Sequence, residues 1–175
     1  MTTPGIRDID AVNLGRLLFV VGIPVSKENA DLIGQTAQKL AFYGDAQYAA
    51  SKGGTGFNPD AARINADKAS MPQQIAAGQA QNGTYNVKLA EALYGYAMYP
   101  QAEAAARLAL SKGGIDASEA QMIVAMSLYQ QGKLADAETA FNQVQGGSPA
   151  TARIAHLWAV HTHIKAGAGP TAAAR

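Results

Sequence analysis

Apolar residues recur at helical spacing along most of the chain. Ile9, Val12, Leu14, Leu17, Leu18 and Val21 share one face of a helix over residues 9–21. Gly22-Ile23-Pro24 ends it, because proline disfavours helical geometry in the residue before it. Ser26 is placed to cap a second helix running to about Tyr43, with Leu32, Ile33, Ala37, Leu40 and Ala41 turned inward. Gly44-Asp45 breaks or bends that helix, and a short helical stretch reaches Ser51. After the glycine-rich loop 52–56, Asn58-Pro59 opens a helix to Ala69, and Met71-Pro72 opens another that ends near Asn82-Gly83.

The pattern sharpens from Tyr85. One helix runs to about Met98, and Pro100 opens the next, which stops at Gly113-Gly114. Asp116 and Glu119 have capping-box spacing ahead of a helix to Gln131. Gly132 turns the chain into a helix over 134–145, Gly146-Gly147 ends it, and Ser148-Pro149 starts a last helix to about Gly167. The pattern predicts an all-α chain in three parts. Residues 1–82 form an N-terminal helical region, a diverged repeat or a cap; residues 83–167 form helix hairpins; residues 168–175 form a loosely ordered tail.

Two hairpins follow each other at about 35-residue spacing. Val124, Ala125 and Leu128 precede Ala137, Phe141 and Val144 in the later one; Leu89, Ala90 and Leu93 precede Ala102, Ala106 and Ala109 in the earlier. Small residues at Ala90, Ala102, Ala125 and Ala137 let paired helices approach. Larger ones fill the space between hairpins, which must stack because one hairpin cannot bury its own face. The stretch from Leu128 to Phe141, followed by Pro149, resembles a tetratricopeptide repeat. Asn86 and Gln121 stand where that family often has an aromatic, Ala106 replaces a larger residue, and Gly114 stands where proline is common. The resemblance covers about half the chain and implies a short α-solenoid of stacked antiparallel helix hairpins. It further implies a concave groove for a protein or peptide partner, lined by Val87, Glu91, Tyr94, Met122, Met126, Tyr129 and Gln130. The plainer alternative makes the same residues core. Ser51-Lys52-Gly53-Gly54 recurs as Ser111-Lys112-Gly113-Gly114, which reads either as two similar helix stops or as the mark of a diverged repeat near Leu32–Gly54.

Composition agrees with the helical pattern. Hydrophobic residues make up 48% and charged residues 15%, and the charge total is +1. Alanine, the best helix former, is abundant. Lys and Arg are scattered, so neither nucleic acid nor an acidic lipid surface is an expected partner. No cysteine is present, which removes disulfides and thiol chemistry. The apolar run 17–25 is too short to span a membrane, has the wrong flanks for a leader peptide, and reads as a buried helix with its exit turn. A soluble protein of either the cytoplasm or the periplasm fits.

Candidate chemistry is sparse. His156, His161 and His163 near Trp158 lack the i, i+4 spacing of a helical zinc pair. The glycines at 53, 54 and 56 lack the Lys-Ser/Thr of a phosphate loop. No nucleophile-elbow pattern occurs. The expectation is therefore a binding or scaffold module without catalytic residues, cofactor or metal. The alternative is a structural module that self-associates through its last helix.

Overall fold

The computed structural model describes residues 6–167, and among these residues all regular structure is helical. The helices are α1 (Asp8–Val21), α2 (Lys27–Lys39), α3 (Tyr43–Ser51), α4 (Ala61–Gly78), α5 (Gly83–Gly95), α6 (Tyr99–Lys112), α7 (Ala117–Gln130), α8 (Leu134–Asn142) and α9 (Pro149–Gly167). The expected tail, 168–175, lies outside the described residues.

Three helix pairs turn in the same way. At the end of α2 the Phe42 N–H donates to Ala37 O (2.8 Å), and the Ala41 N–H to Gln38 O (3.0 Å). At the end of α5 the Met98 N–H donates to Leu93 O (2.9 Å), and the Ala97 N–H to Tyr94 O (2.9 Å). At the end of α7 the Lys133 N–H donates to Leu128 O (3.0 Å), and the Gly132 N–H to Tyr129 O (3.0 Å). The bond spanning five residues, with a left-handed residue inside it, is the Schellman arrangement that closes a helix. Ala41 (φ 61°), Ala97 (φ 60°) and Gly132 (φ 76°) supply that left-handed residue. The next helix then opens alike in each pair: Ala46, Ala102 and Ala137 donate to the carbonyls of Phe42, Met98 and Lys133. Those three alanines are at most 1% exposed, so each serves as the close-approach residue of its hairpin.

The common turn corrects two expected boundaries. The break after α2 falls at Leu40–Phe42, not at Gly44-Asp45, and Leu32 is 59% exposed instead of inward. Likewise α5 ends at Gly95 instead of near Met98. A single α4 replaces the two short helices expected between 59 and 82, with Pro72 inside it. Proline there removes one backbone hydrogen bond, and the rest of the helix, rich in alanine and long straight side chains, carries on. Its cap is Asp60, whose Oδ1 accepts from the Ala62 and Arg63 N–H groups (2.9 and 3.1 Å), not Asn58. Asn86 is fully buried and donates to Gly78 O (3.0 Å) and Asn82 O (2.9 Å), tying α4 to α5 at the position where an aromatic would otherwise stand.

Packing runs consecutively through α5, α6, α7, α8 and α9. Its core includes Leu93, Met122, Ile123, Met126, Phe141 and Trp158, each 2% exposed or less. Phe141 stacks on Trp158 at 5.3 Å, and Tyr129 meets Trp158 edge-on at 5.3 Å; such pairs add about 0.5–1.5 kcal/mol each beyond area burial. A smaller cluster of Val12, Ala37, Phe42 and Ala46 joins α1, α2 and α3. The first hairpin meets the second at α3 and α5, where Gly44 lies against the backbone of Gly95 too closely for any Cβ.

α1 does not extend this succession. It packs on both α2 and α9, the two ends of the array. No described helix is long and apolar enough to cross a membrane.

Candidate functional site

Every third residue on one face of α1 is polar and buried: Asp10 (1% exposed), Asn13 (2%) and Arg16 (5%). Buried polar groups must find partners, and these find them across the whole molecule. Arg16 donates from Nε and Nη2 to the two oxygens of Asp45 on α3 (2.8 and 2.7 Å) and from Nη1 to Glu91 Oε2 on α5 (2.7 Å). Its guanidinium lies 4.5 Å from the centre of the Tyr94 ring. Asp10 accepts from Arg7 Nε (2.8 Å), Thr151 Oγ1 (2.7 Å) and Ser148 Oγ (2.7 Å) at the start of α9. Trp158 Nε1 donates to the backbone carbonyl of Asn13 (3.3 Å), whose side-chain Oδ1 accepts from Arg16 Nη1 (3.0 Å) on the same helix. Arg7 also reaches Asp116 at 3.0 Å. Asp116 caps α7 by accepting from the Ser118 N–H (3.1 Å), while Glu119, the expected capping-box partner, faces Arg7 at 3.6 Å.

The triad is unbalanced. One guanidinium serves two carboxylates, and Glu91 Oε1 is buried with no hydrogen-bond partner. Burial pushes the Glu91 carboxyl up to about 7, against the opposing pull of Arg16. Burial also opposes the charge on Arg16, and Asp45 and Glu91 override it and hold the guanidinium ionised. For Asp10, burial likewise works upward, and the hydrogen bonds from Arg7, Thr151 and Ser148 win, leaving it below its ordinary value.

Six of the seven residues expected in the groove are buried, as the plainer alternative has it, with Gln130 half-buried, and they are distributed in three ways. Met122 and Met126 are fully buried in the core. Tyr94, Tyr129 and Gln130 line a cleft of about 400 Å³ at the C-terminal end of α1, with Phe19, Tyr48 and Lys165. Val87 and Glu91 line a second cleft, of about 780 Å³, at the N-terminal end of α1. A single open groove does not form, because α1 occupies the middle of the face that would line it.

The smaller cleft is aromatic and polar. Gln130 Nε2 donates to Tyr94 Oη (3.2 Å), and Lys165 Nζ donates to Tyr129 Oη (3.0 Å) from a position 4.4 Å from the centre of that ring. His161 Nε2 is 2.8 Å from the same hydroxyl; burial, then the Lys165 charge, lowers its pKa. The larger cleft lies between α1, the α2–α3 turn, α4 and α5, with Ile9, Leu40, Phe42, Tyr43, Tyr85 and Leu89 as its apolar walls. His163 contacts Glu138 at 3.1 Å on the surface, apart from both clefts.

Arg16, Asp45, Asp10 and Asn13 were not among the sequence candidates. The i, i+3, i+6 polar stripe inside an otherwise apolar helix is the signal that could have found them. Comparison of the chain with protein-family models, with curated proteins and with solved structures finds no match to any of them.

Proposed function

We propose that this chain is a non-enzymatic protein- or peptide-binding module of the short α-solenoid type, with the two clefts at the ends of α1 as its contact surfaces. Three hairpins with one shared turn geometry support the repeat reading, which resembles tetratricopeptide architecture. The observation that carries the binding reading is that five of the seven groove residues line those two clefts, Glu91 and Tyr94 among them while also touching Arg16 of α1. The seating of α1, a helix held by a few polar anchors, supports a helical segment as the kind of occupant.

Selection of a displayed peptide library on the full chain tests this. Peptides recovered should lose about tenfold or more in affinity, read by fluorescence anisotropy, when Tyr48→Ala or Lys88→Glu alters a cleft wall. Recovery of peptides indifferent to both changes would remove the reading.

A specific feature favours a second reading, self-association. Leu157 (49% exposed), Val160 (42%) and Ile164 (62%) make an outward apolar stripe on α9, the last helix of the array. Sedimentation of the wild type and of Val160→Glu decides it: a dimer that the substitution dissociates supports self-association, and a wild-type monomer at high concentration rejects it.

A further inference from the structure

Around Arg16 the described structure buries two carboxylates against one guanidinium. Glu91 is 2% exposed, is among the residues lining the 780 Å³ cleft, and keeps one buried oxygen without a partner. A buried carboxylate oxygen left unmatched is costly unless a proton or a second cation completes it. The cleft is the approach from which a second cation would come.

The rest of the lining has the same bias. Asp8, Asp67 and Glu119 line the cleft with Glu91, against Arg7 and Lys88; Asp8 pairs with Lys39, Asp67 accepts from the Tyr96 hydroxyl and Glu119 faces Arg7, so the unmatched oxygen is that of Glu91. Arg7 is already engaged by Asp10 and Asp116, and Lys88 stands exposed at the rim. Aromatic rings of Phe42, Tyr43 and Tyr85 contribute to the walls. Tyr43 already receives a cation on its ring, the Arg63 guanidinium at 5.0 Å. A buried carboxylate among aromatic and aliphatic lining residues matches an alkylammonium: charge pairs with charge, and the chain lies against apolar surface.

We infer that the cleft between α1, α4 and α5 is a recognition site for a primary alkylammonium group, with Glu91 as the residue that receives it. The ammonium completes the Arg16–Asp45–Glu91 cluster as a second cation. Its source is either a lysine side chain of a bound peptide, which rests on the function proposed above, or a small free amine, which does not.

Titration of the isotopically labelled full chain, followed by amide NMR shifts, separates these cases. The probes are n-hexylammonium, 1-hexanol, and the peptide acetyl-Leu-Lys-Leu-Ala-amide with its norleucine counterpart. The two charged probes should move the resonances of Phe42, Tyr43 and Glu91, and the uncharged ones should bind about tenfold more weakly. Glu91→Gln should erase that preference. Ala92→Leu, which narrows the cleft and leaves the triad intact, should weaken all four probes. Binding of hexylammonium without the lysine peptide supports the site with a small amine as its ligand, and counts against peptide binding in this cleft. Equal binding of both peptides, unchanged by Glu91→Gln, keeps the peptide function and overturns the ammonium assignment. Absence of shifts with any probe, or equal binding of amine and alcohol, also overturns it and leaves Glu91 neutralised by a proton alone.

Discussion

Between α5 and α9, neighbouring helices meet through Leu93, Ile123, Met126, Phe141 and Trp158, a continuous apolar core. α1 meets the rest of the chain through Val12 and Leu17 and, beside them, through the buried polar residues Asp10, Asn13 and Arg16. The contrast concerns tolerance as much as strength. Apolar contacts accept volume-conserving exchange at small cost. A buried ion pair is worth little against a well-packed apolar alternative, yet losing one partner strands the other. The α5–α9 region should therefore respond gradually to substitution, and the seating of α1 should respond abruptly.

The largest expected effect breaks that seating. Arg16→Met removes the one cation serving Asp45 and Glu91 and should cost about 3–5 kcal/mol in urea unfolding followed by circular dichroism. A loss under about 1 kcal/mol would show that apolar contacts, not the triad, hold α1. Next comes the junction of the first two hairpins. Gly44→Ala drives a Cβ into the Gly95 backbone, so α3 must move away from α5, at about 1–3 kcal/mol in the same assay. An unchanged unfolding midpoint would mean that the junction is loose.

A smaller effect follows from pH. Glu91 has a folded pKa of about 7, above its ordinary 4.5. Its contribution to stability is therefore full below about 4.5 and declines as pH rises toward 7, since the folded state holds a proton that the unfolded state has lost. Arg16 on α1, Asp45 on α3, Glu119 on α7 and Tyr94 on α5 are the charged or titratable groups around it. His161, lowered from 6.5, works in the opposite direction near neutrality. The readout is therefore the difference between wild type and Glu91→Gln: wild type should lose unfolding midpoint relative to the variant between pH 5 and pH 7.5. Parallel pH profiles would contradict it. The smallest effect has the opposite sign. Ala97 holds φ at 60°, where alanine is strained and glycine is not. Ala97→Gly should stabilise by about 0.5–1 kcal/mol, visible as a rise of a few degrees in Tm. A fall would show that the Ala97 methyl is needed for packing.

Much of the helical layout could be read from the sequence, because it depends on neighbours. Glycines announced the ends of α1, α6, α7 and α8, and prolines opened α6 and α9. The α2–α3 turn stayed hidden and the end of α5 was placed a few residues late, because alanine, a helix former, fills the left-handed position at Ala41 and Ala97 where Gly132 fills it openly. Leu32 points outward because Ala30, Ile33, Gly34 and Ala37 make up the buried face of α2. The face carrying Glu91, Tyr94, Met122, Met126 and Tyr129 was implied by the repeat resemblance. What covers it was not, since Arg16 and Glu91 are 75 positions apart and Asp10 and Thr151 are 141 apart. No local periodicity encodes such a pairing.

Trp158 has one more consequence. It is the chain's single tryptophan, fully buried, and its indole N–H is held by a carbonyl of α1. Its fluorescence is therefore a built-in optical gauge of α1 docking. If α1 lifts away, water reaches the indole and the emission shifts to longer wavelength, even while α5–α9 stay folded. Steady-state emission beside far-ultraviolet dichroism would thus separate undocking of one helix from melting of the whole, with no label attached.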